Sequence, residues 1–175
     1  MKYNVVATVG TDNHPFDRLV SWIDQIALDI EADVFIQYGT SRPPRIAHGA
    51  DYMTHAALGE LISGASAVIT HGGPATIREA RALHGSPIVV PRDPDRGEHV
   101  AGHHLEFCEL MADKGVLILA RTPGELADAI NAHLVDPPVR PVASHTVAEG
   151  VTRFTELMDE LLAAQAPARK RRWRP

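Results

Sequence analysis

The 175-residue chain has a single cysteine and no long apolar run, and each scarcity removes a class of protein. With Cys108 alone, an internal disulfide is excluded, and the composition fits a reducing cytoplasm. No window approaches the ~20 continuous apolar residues that a membrane-spanning helix needs. The first residues lead into "YNVVATVG" with no basic segment ahead of a long apolar run, so they read as a strand rather than a signal peptide. The spacing G-x-G-x-x-G is missing after that strand, which disfavours a nicotinamide cofactor. There is no internal repeat and no low-complexity tract. What remains is 45% apolar and 22% charged, the balance of a soluble globular protein with room for one domain and a full core.

Basic residues are scarce except at one place. The segment "ARKRRWRP" (168–175) holds five of the 17 Lys and Arg residues, leaving 12 against 22 acids in the rest. An acidic body of about −10 repels phosphate backbones, so nucleic-acid binding is not expected. Two readings of the tail stay open. One is a solvated, disordered end; the other is contact with an acidic partner or lipid surface, with Trp173 as an interfacial anchor. Residues 1–165 therefore read as the domain and 166–175 as a basic tail.

Apolar runs and helical patterns alternate along that domain. Asn4–Val9, Asp33–Tyr38, Ser66–Thr70, Ser86–Val90 and Val116–Leu119 read as strands. Apolar positions spaced by three and four predict helices over Pro15–Ile30, Thr54–Gly64, Pro74–Leu83, Glu98–Lys114 and Pro123–Leu134, the last capped by Thr122. "SRPPRIAHGAD" reads as loop with one short strand, because its prolines exclude a central strand position. A final amphipathic helix is expected from about Val147 to Ala164. The alternation implies an α/β fold, a parallel sheet covered by helices on both faces. In such sheets ligands bind where strand carboxyl ends meet helix N-termini. Three loops carry unusual chemistry at that edge: "GTDNHPF", "HGGPAT" and "PRDPDRGEH".

In "THGGPATIRE" the glycines admit a close backbone approach, and a helix opening near Pro74 directs free N–H groups outward. Such a terminus attracts phosphate, and Thr76 adds a hydroxyl. Glu79, one turn deeper, reads either as an acceptor for a sugar diol or as an acid satisfying the helix end. His71 at the strand end reads as a substrate-binding residue or equally as a packed, hydrogen-bonded loop residue. His14 is a candidate general base or a structural loop histidine. His99 and His103 are four apart on the expected helix, but Val100 stands where H-E-x-x-H needs glutamate and no third ligand follows. No metal site is expected.

Taken together, these stretches resemble the C-terminal, donor-binding half of glycosyltransferase family 28, and more closely its free-standing Alg13-like and PssE-like subunits. "VATVGTDNHPFDRLVSWID" is similar to that group's opening, "ADVFIQYGTS" to its second strand, and "ASAVITHGGPATIREARALHGSPIVVPR" to its signature loop, helix and strand. "GEHVAGHHLEFCELMADKG" follows its "E-H-x-x-N-H-Q-x-E" region, with Gly102 and His104 in place of the asparagine and glutamine. The resemblance spans about Val5 to Ile130. It implies a Rossmann-like three-layer domain, one half of a GT-B enzyme, with a UDP-sugar lying across these loops. Gly72, Gly73, Pro74, Ala75 and Thr76 would hold the diphosphate, with Gly10 and Thr11 bordering it. Glu79 would bind the ribose hydroxyls, and Glu98 and His99 the donor sugar.

The resemblance further implies a membrane-anchored, Alg14-like or PssD-like partner that binds the acceptor, recruiting a cytoplasmic chain to the inner face of the membrane. The expected activity is transfer of a hexose or N-acetylhexosamine from UDP-sugar to a lipid-linked acceptor, without a metal. The base would come from that partner or from His14. The alternative is a nucleotide- or UDP-sugar-binding module without transfer activity of its own.

Overall fold

Strand residues alternate between two sheet faces, and here apolar side chains fill both. Val5–Thr8 (β1), Val34–Gln37 (β2) and Ala67–Thr70 (β4) are buried at every position. Strands of that kind need helices above and below. The computed structural model, which describes residues 3–100 and 103–139, has that architecture. Besides those three, the strands are His48–Ala50 (β3), Ile88–Val89 (β5) and Ile118–Leu119 (β6). The helices are Asp17–Ile26 (α1), His55–Gly64 (α2), Pro74–His84 (α3), His103–Asp113 (α4) and Pro123–Val135 (α5), with a 3-10 turn at Pro94–Arg96.

The sheet order is β3-β2-β1-β4-β5-β6, and every pair is parallel. On one face Val5, Ala7, Ile36 and Ile69 pack with Leu19 and Ile23 of α1 and Leu126 and Ile130 of α5. On the other, Val6 and Val68 pack with Ile62 of α2 and Ala80 of α3. Each such Val, Leu or Ile side chain removed from water contributes about 1.5–3 kcal/mol. From β1 the chain moves outward to β2 and β3; it then returns to β4 and moves outward the other way. The carboxyl ends of β1 and β4 flank that reversal, where connecting loops diverge and leave a crevice.

The α/β reading therefore holds, as does the short strand expected in "SRPPRIAHGAD", which is β3 on the sheet edge. Thr122 caps α5 as expected, its hydroxyl accepting from the Glu125 N–H at 3.2 Å. Two helices are shorter than their apolar periodicity. The first starts at Asp17 because Phe16 is buried and gives its N–H to Ser41 Oγ (2.7 Å). The fourth is described from His103, and Glu98 to Val100 lie outside it. Gly97 is left-handed (φ 71°) after the 3-10 turn, and the Glu98 side chain is tied to Arg18 of α1. The expected helix at 147–164, the basic tail and the boundary at 165 lie outside the described residues.

Candidate functional site

The turn after β4 is built around a histidine ring. Gly10 ends β1 with φ 78°, a region that favours glycine, and a Cβ there would sit 2.5 Å from His71 Cε1. A Cβ on Gly73 would sit 2.5 Å from His71 Nε2. The imidazole thus occupies the space that two glycines on adjacent strand ends leave open. Below the same turn, a Cβ on Gly72 (φ 92°) would meet Cys108 Sγ at 2.9 Å. Cys108 is fully buried, and burial pushes its thiol up to about 12. It packs the turn and is no nucleophile.

Helix α3 begins directly after this turn with Gly73 as N-cap and Pro74 in its first turn, and no side chain caps it. Its first-turn N–H groups and the positive end of its dipole are available to an anion. Thr76 and Glu79 follow on the wall of a cleft of about 500 Å³ at the carboxyl ends of β1, β2 and β4. Thr8, Gly10, Thr11, Asp12 and Gln37 form the side toward β1 and β2, and His71, Gly73, Arg92 and His99 the side toward β4 and β5. Tyr52, Met53, Leu58 and Ile62 make one stretch of the wall largely apolar, beside His55. On the floor, Thr8 and Gln37 hold each other. The Thr8 hydroxyl donates to Gln37 Oε1 (2.5 Å) and accepts from the Gly10 N–H (3.1 Å), while Gln37 Nε2 donates to the Asp51 carbonyl (2.7 Å).

Arg92 locks the β1 and β5 loops together. Only 1% exposed, it donates through Nη1 to the carbonyls of His14 (2.7 Å) and Glu98 (2.8 Å) and through Nη2 to that of Val9 (2.8 Å). Its guanidinium lies 4.8 Å over the Phe16 ring. Burial lowers its pKa, an effect the nearby charges of Asp12 and Glu98 oppose, and an arginine in a protein keeps its proton.

Asp12 Oδ1 accepts both from the His14 N–H (2.7 Å) and from His14 Nδ1 (2.6 Å). The backbone bond from His14 is the main reason its carboxyl titrates below the usual range, so the group is an ionised acceptor. His14 must then carry its proton on Nδ1 when neutral, which leaves the Nε2 lone pair free. Asp12 Oδ2 lies 3.9 Å from His99 Nε2.

The structure brings Gly10, Thr11, His71, Gly73, Thr76, Glu79 and His99 to one cleft; Gly72, Pro74 and Ala75 belong to its turn but do not line it. His14 stands outside the lining, with its ring 39% exposed. Glu98, expected at the donor sugar, faces elsewhere. Its carboxylate takes two bonds from Arg18 (2.9 and 2.7 Å) and one from the Asp93 N–H (2.9 Å). His99 precedes α4 instead of lying on it, so the spacing with His103 does not place both on one helical face. Among the described residues no group of three or more His, Cys, Asp or Glu is placed to hold a metal ion. Sequence reasoning missed Arg92, Asp12 and His55. An arginine closing a buried strand was a signal for the first, and a histidine just inside a Thr-capped helix for the last.

A doubly wound parallel sheet with its cleft at the reversal of strand order defines a Rossmann-like α/β domain. The glycosyltransferase family 28 C-terminal domain matches residues 4–161, and the chain belongs to that family. No curated protein sequence matches it significantly. Among solved structures, that of ALG13 superposes with a TM-score of 0.55 at 16% identity, covering 86% of this chain and 94% of that one. CalG4, the calicheamicin glycosyltransferase, gives 0.53 at 16% identity over 94% of this chain and 43% of its own. MurG of Acinetobacter baumannii gives 0.53 at 13% identity over 94% of this chain and 49% of its own. At these identities the likeness is one of fold. The chain spans less than half the length of the latter two.

Proposed function

We propose that this chain is the donor-binding subunit of a two-component glycosyltransferase that moves a hexose or N-acetylhexosamine from a UDP-sugar to a lipid-linked acceptor. The observation that carries the reading is the uncapped N-terminus of α3, which opens onto the cleft with Thr76 and Glu79 one turn apart on its wall. The first-turn N–H groups and Thr76 receive the diphosphate, with Arg92 adding positive field from the floor. Glu79 accepts from the ribose hydroxyls. The apolar stretch at Tyr52 and Met53 suits the face of a pyrimidine, and His99 borders the donor sugar.

In the reaction the acceptor oxygen bonds to the anomeric carbon as the bond from that carbon to the diphosphate oxygen breaks. The negative charge that develops on the departing UDP is met by the preorganised donors of α3, so no metal is required. The acceptor proton goes to a base, either His14 Nε2 held by Asp12 or a group on the partner. That partner is a membrane-anchored, Alg14-like or PssD-like subunit that binds the acceptor, and the chain works in the cytoplasm at the inner membrane face. One observation favours a second reading, a nucleotide-sugar-binding module without transfer activity: His14 does not line the cleft.

Calorimetry on the isolated chain tests the first step. UDP should bind, in preference to ADP and equally well in EDTA, and Glu79→Ala should weaken it by about 1–3 kcal/mol. Absence of UDP binding, or preference for ADP, sinks the uridine assignment; loss in EDTA with rescue by magnesium sinks the metal-free account. Co-expression with a membrane-anchored acceptor-binding subunit, followed by transfer assays over a panel of UDP-sugars, separates the two readings.

A further inference from the structure

Glu79 is not alone on its wall of the cleft. His55, the first residue of α2, brings its imidazole Nε2 to 2.8 Å from Glu79 Oε1. That oxygen is sealed from solvent and takes no well-aligned hydrogen bond from the chain. The imidazole, by contrast, is 85% exposed, so packing does not account for its position. Its backbone is fixed by the start of α2, where the Thr54 hydroxyl accepts from the Ala57 N–H at 3.2 Å. Both residues line the same cleft.

A glutamate on a helix surface has three rotatable bonds, and a carboxylate meant to accept from a diol must be held at one orientation of all three. Ordering it at the moment of binding costs affinity, and ordering it beforehand avoids that cost. A carboxylate only accepts, so across this close contact the imidazole is the partner with a proton to offer. With Oε1 against the imidazole and sealed from solvent, Oε2 is the oxygen left for a ligand.

We propose that His55 is a positioning residue for Glu79, and that the pair makes the cleft selective for a ribonucleotide over its 2′-deoxy counterpart. The proposal rests on the reading of Glu79 as the ribose acceptor. It adds a residue from a different helix, so that α2 and α3 read the sugar jointly. Because His55 is so exposed, water competes for the contact and its contribution is modest.

The test is calorimetry with UDP and 2′-deoxy-UDP on the wild-type chain and on His55→Ala, His55→Gln, Glu79→Ala and the His55→Ala/Glu79→Ala pair. Removal of His55 should weaken UDP by about 2- to 5-fold, the range of an exposed pair, and leave 2′-deoxy-UDP nearly unchanged. Glutamine, whose amide donates to a carboxylate, should restore part of the loss. In the Glu79→Ala background, loss of His55 should have no further effect. Equal weakening of both nucleotides by His55→Ala would mean a general packing role and overturn the proposal, as would unchanged UDP binding. If the wild-type chain binds no UDP, the nucleotide reading fails first, and that result differs from a chain that binds UDP and ignores His55.

Discussion

Gly73 enters α3 with φ −66° and ψ 130°, dihedrals open to any residue, so its backbone does not require glycine. The requirement comes from His71, whose ring fills the space a side chain at 73 or at 10 would occupy. This gives a stability prediction at the scale of two residues. Gly73→Ala should cost about 1–3 kcal/mol by overpacking, because Gly10 on the opposite side prevents the ring from yielding. In a His71→Ala background the clash is gone, and most of that cost should vanish in a double-mutant cycle followed by urea unfolding. Strict additivity would show that the ring is not the obstacle. The quoted motif "THGGPAT" made glycine legible in the sequence as a residue admitting a ligand. That the same glycines also admit a histidine was not legible, because the contact joins the ends of strands separated by about sixty residues.

At the scale of elements, periodicity located nearly every helix and strand, and long-range ties account for the exceptions. Glu98 belongs to the apolar and charged pattern that predicts α4, yet Arg18, eighty residues earlier, takes its carboxylate. The loop between β2 and β3 shows the same principle from the other side. Pro43 and Pro44 made it read as loop, and what fixes it is Asp24 of α1. That carboxylate accepts N–H bonds from Arg45 (2.9 Å), Ile46 (2.8 Å) and Ala47 (2.9 Å) just before β3. Partial burial raises the Asp24 pKa, but the three backbone donors outweigh it and the net shift is downward. A carboxyl with a depressed folded-state pKa stabilises the fold above its unfolded value, and the contribution fades as pH falls through the folded value. Asp24→Ala should therefore cost about 1–3 kcal/mol at pH 7 and distinctly less near pH 3. Urea unfolding at the two pH values measures this; a cost independent of pH would mean that the charge is irrelevant to the clamp.

At the scale of the whole molecule, the cleft is one wall of a larger site in the proposed reading. The chain's matches cover 43% of CalG4 and 49% of MurG, and His14, the base proposed on this chain, stands outside the lining of its cleft. The position of the cleft was legible in advance, since strand–helix alternation places every loop after a strand on one edge of a parallel sheet. The missing wall, in the proposed reading, belongs to a partner at a membrane. Among the described residues no helix is long and apolar enough to cross one. The sequence offers Arg169, Lys170, Arg171, Arg172 and Arg174 beside Trp173, on a chain otherwise acidic. Each basic residue near an anionic leaflet adds about 1 kcal/mol, and an aromatic ring suits the headgroup region. Deleting Arg169–Pro175 should thus leave UDP affinity unchanged, because the residues assigned to the nucleotide in the proposed reading lie between Thr8 and His99. The same deletion should lower co-sedimentation with membranes that hold the acceptor-binding partner, and high salt should reproduce the loss in the full chain by screening. If truncated and full-length chains sediment equally at low salt, the tail is a solvated end and the partner alone holds the subunit at the surface.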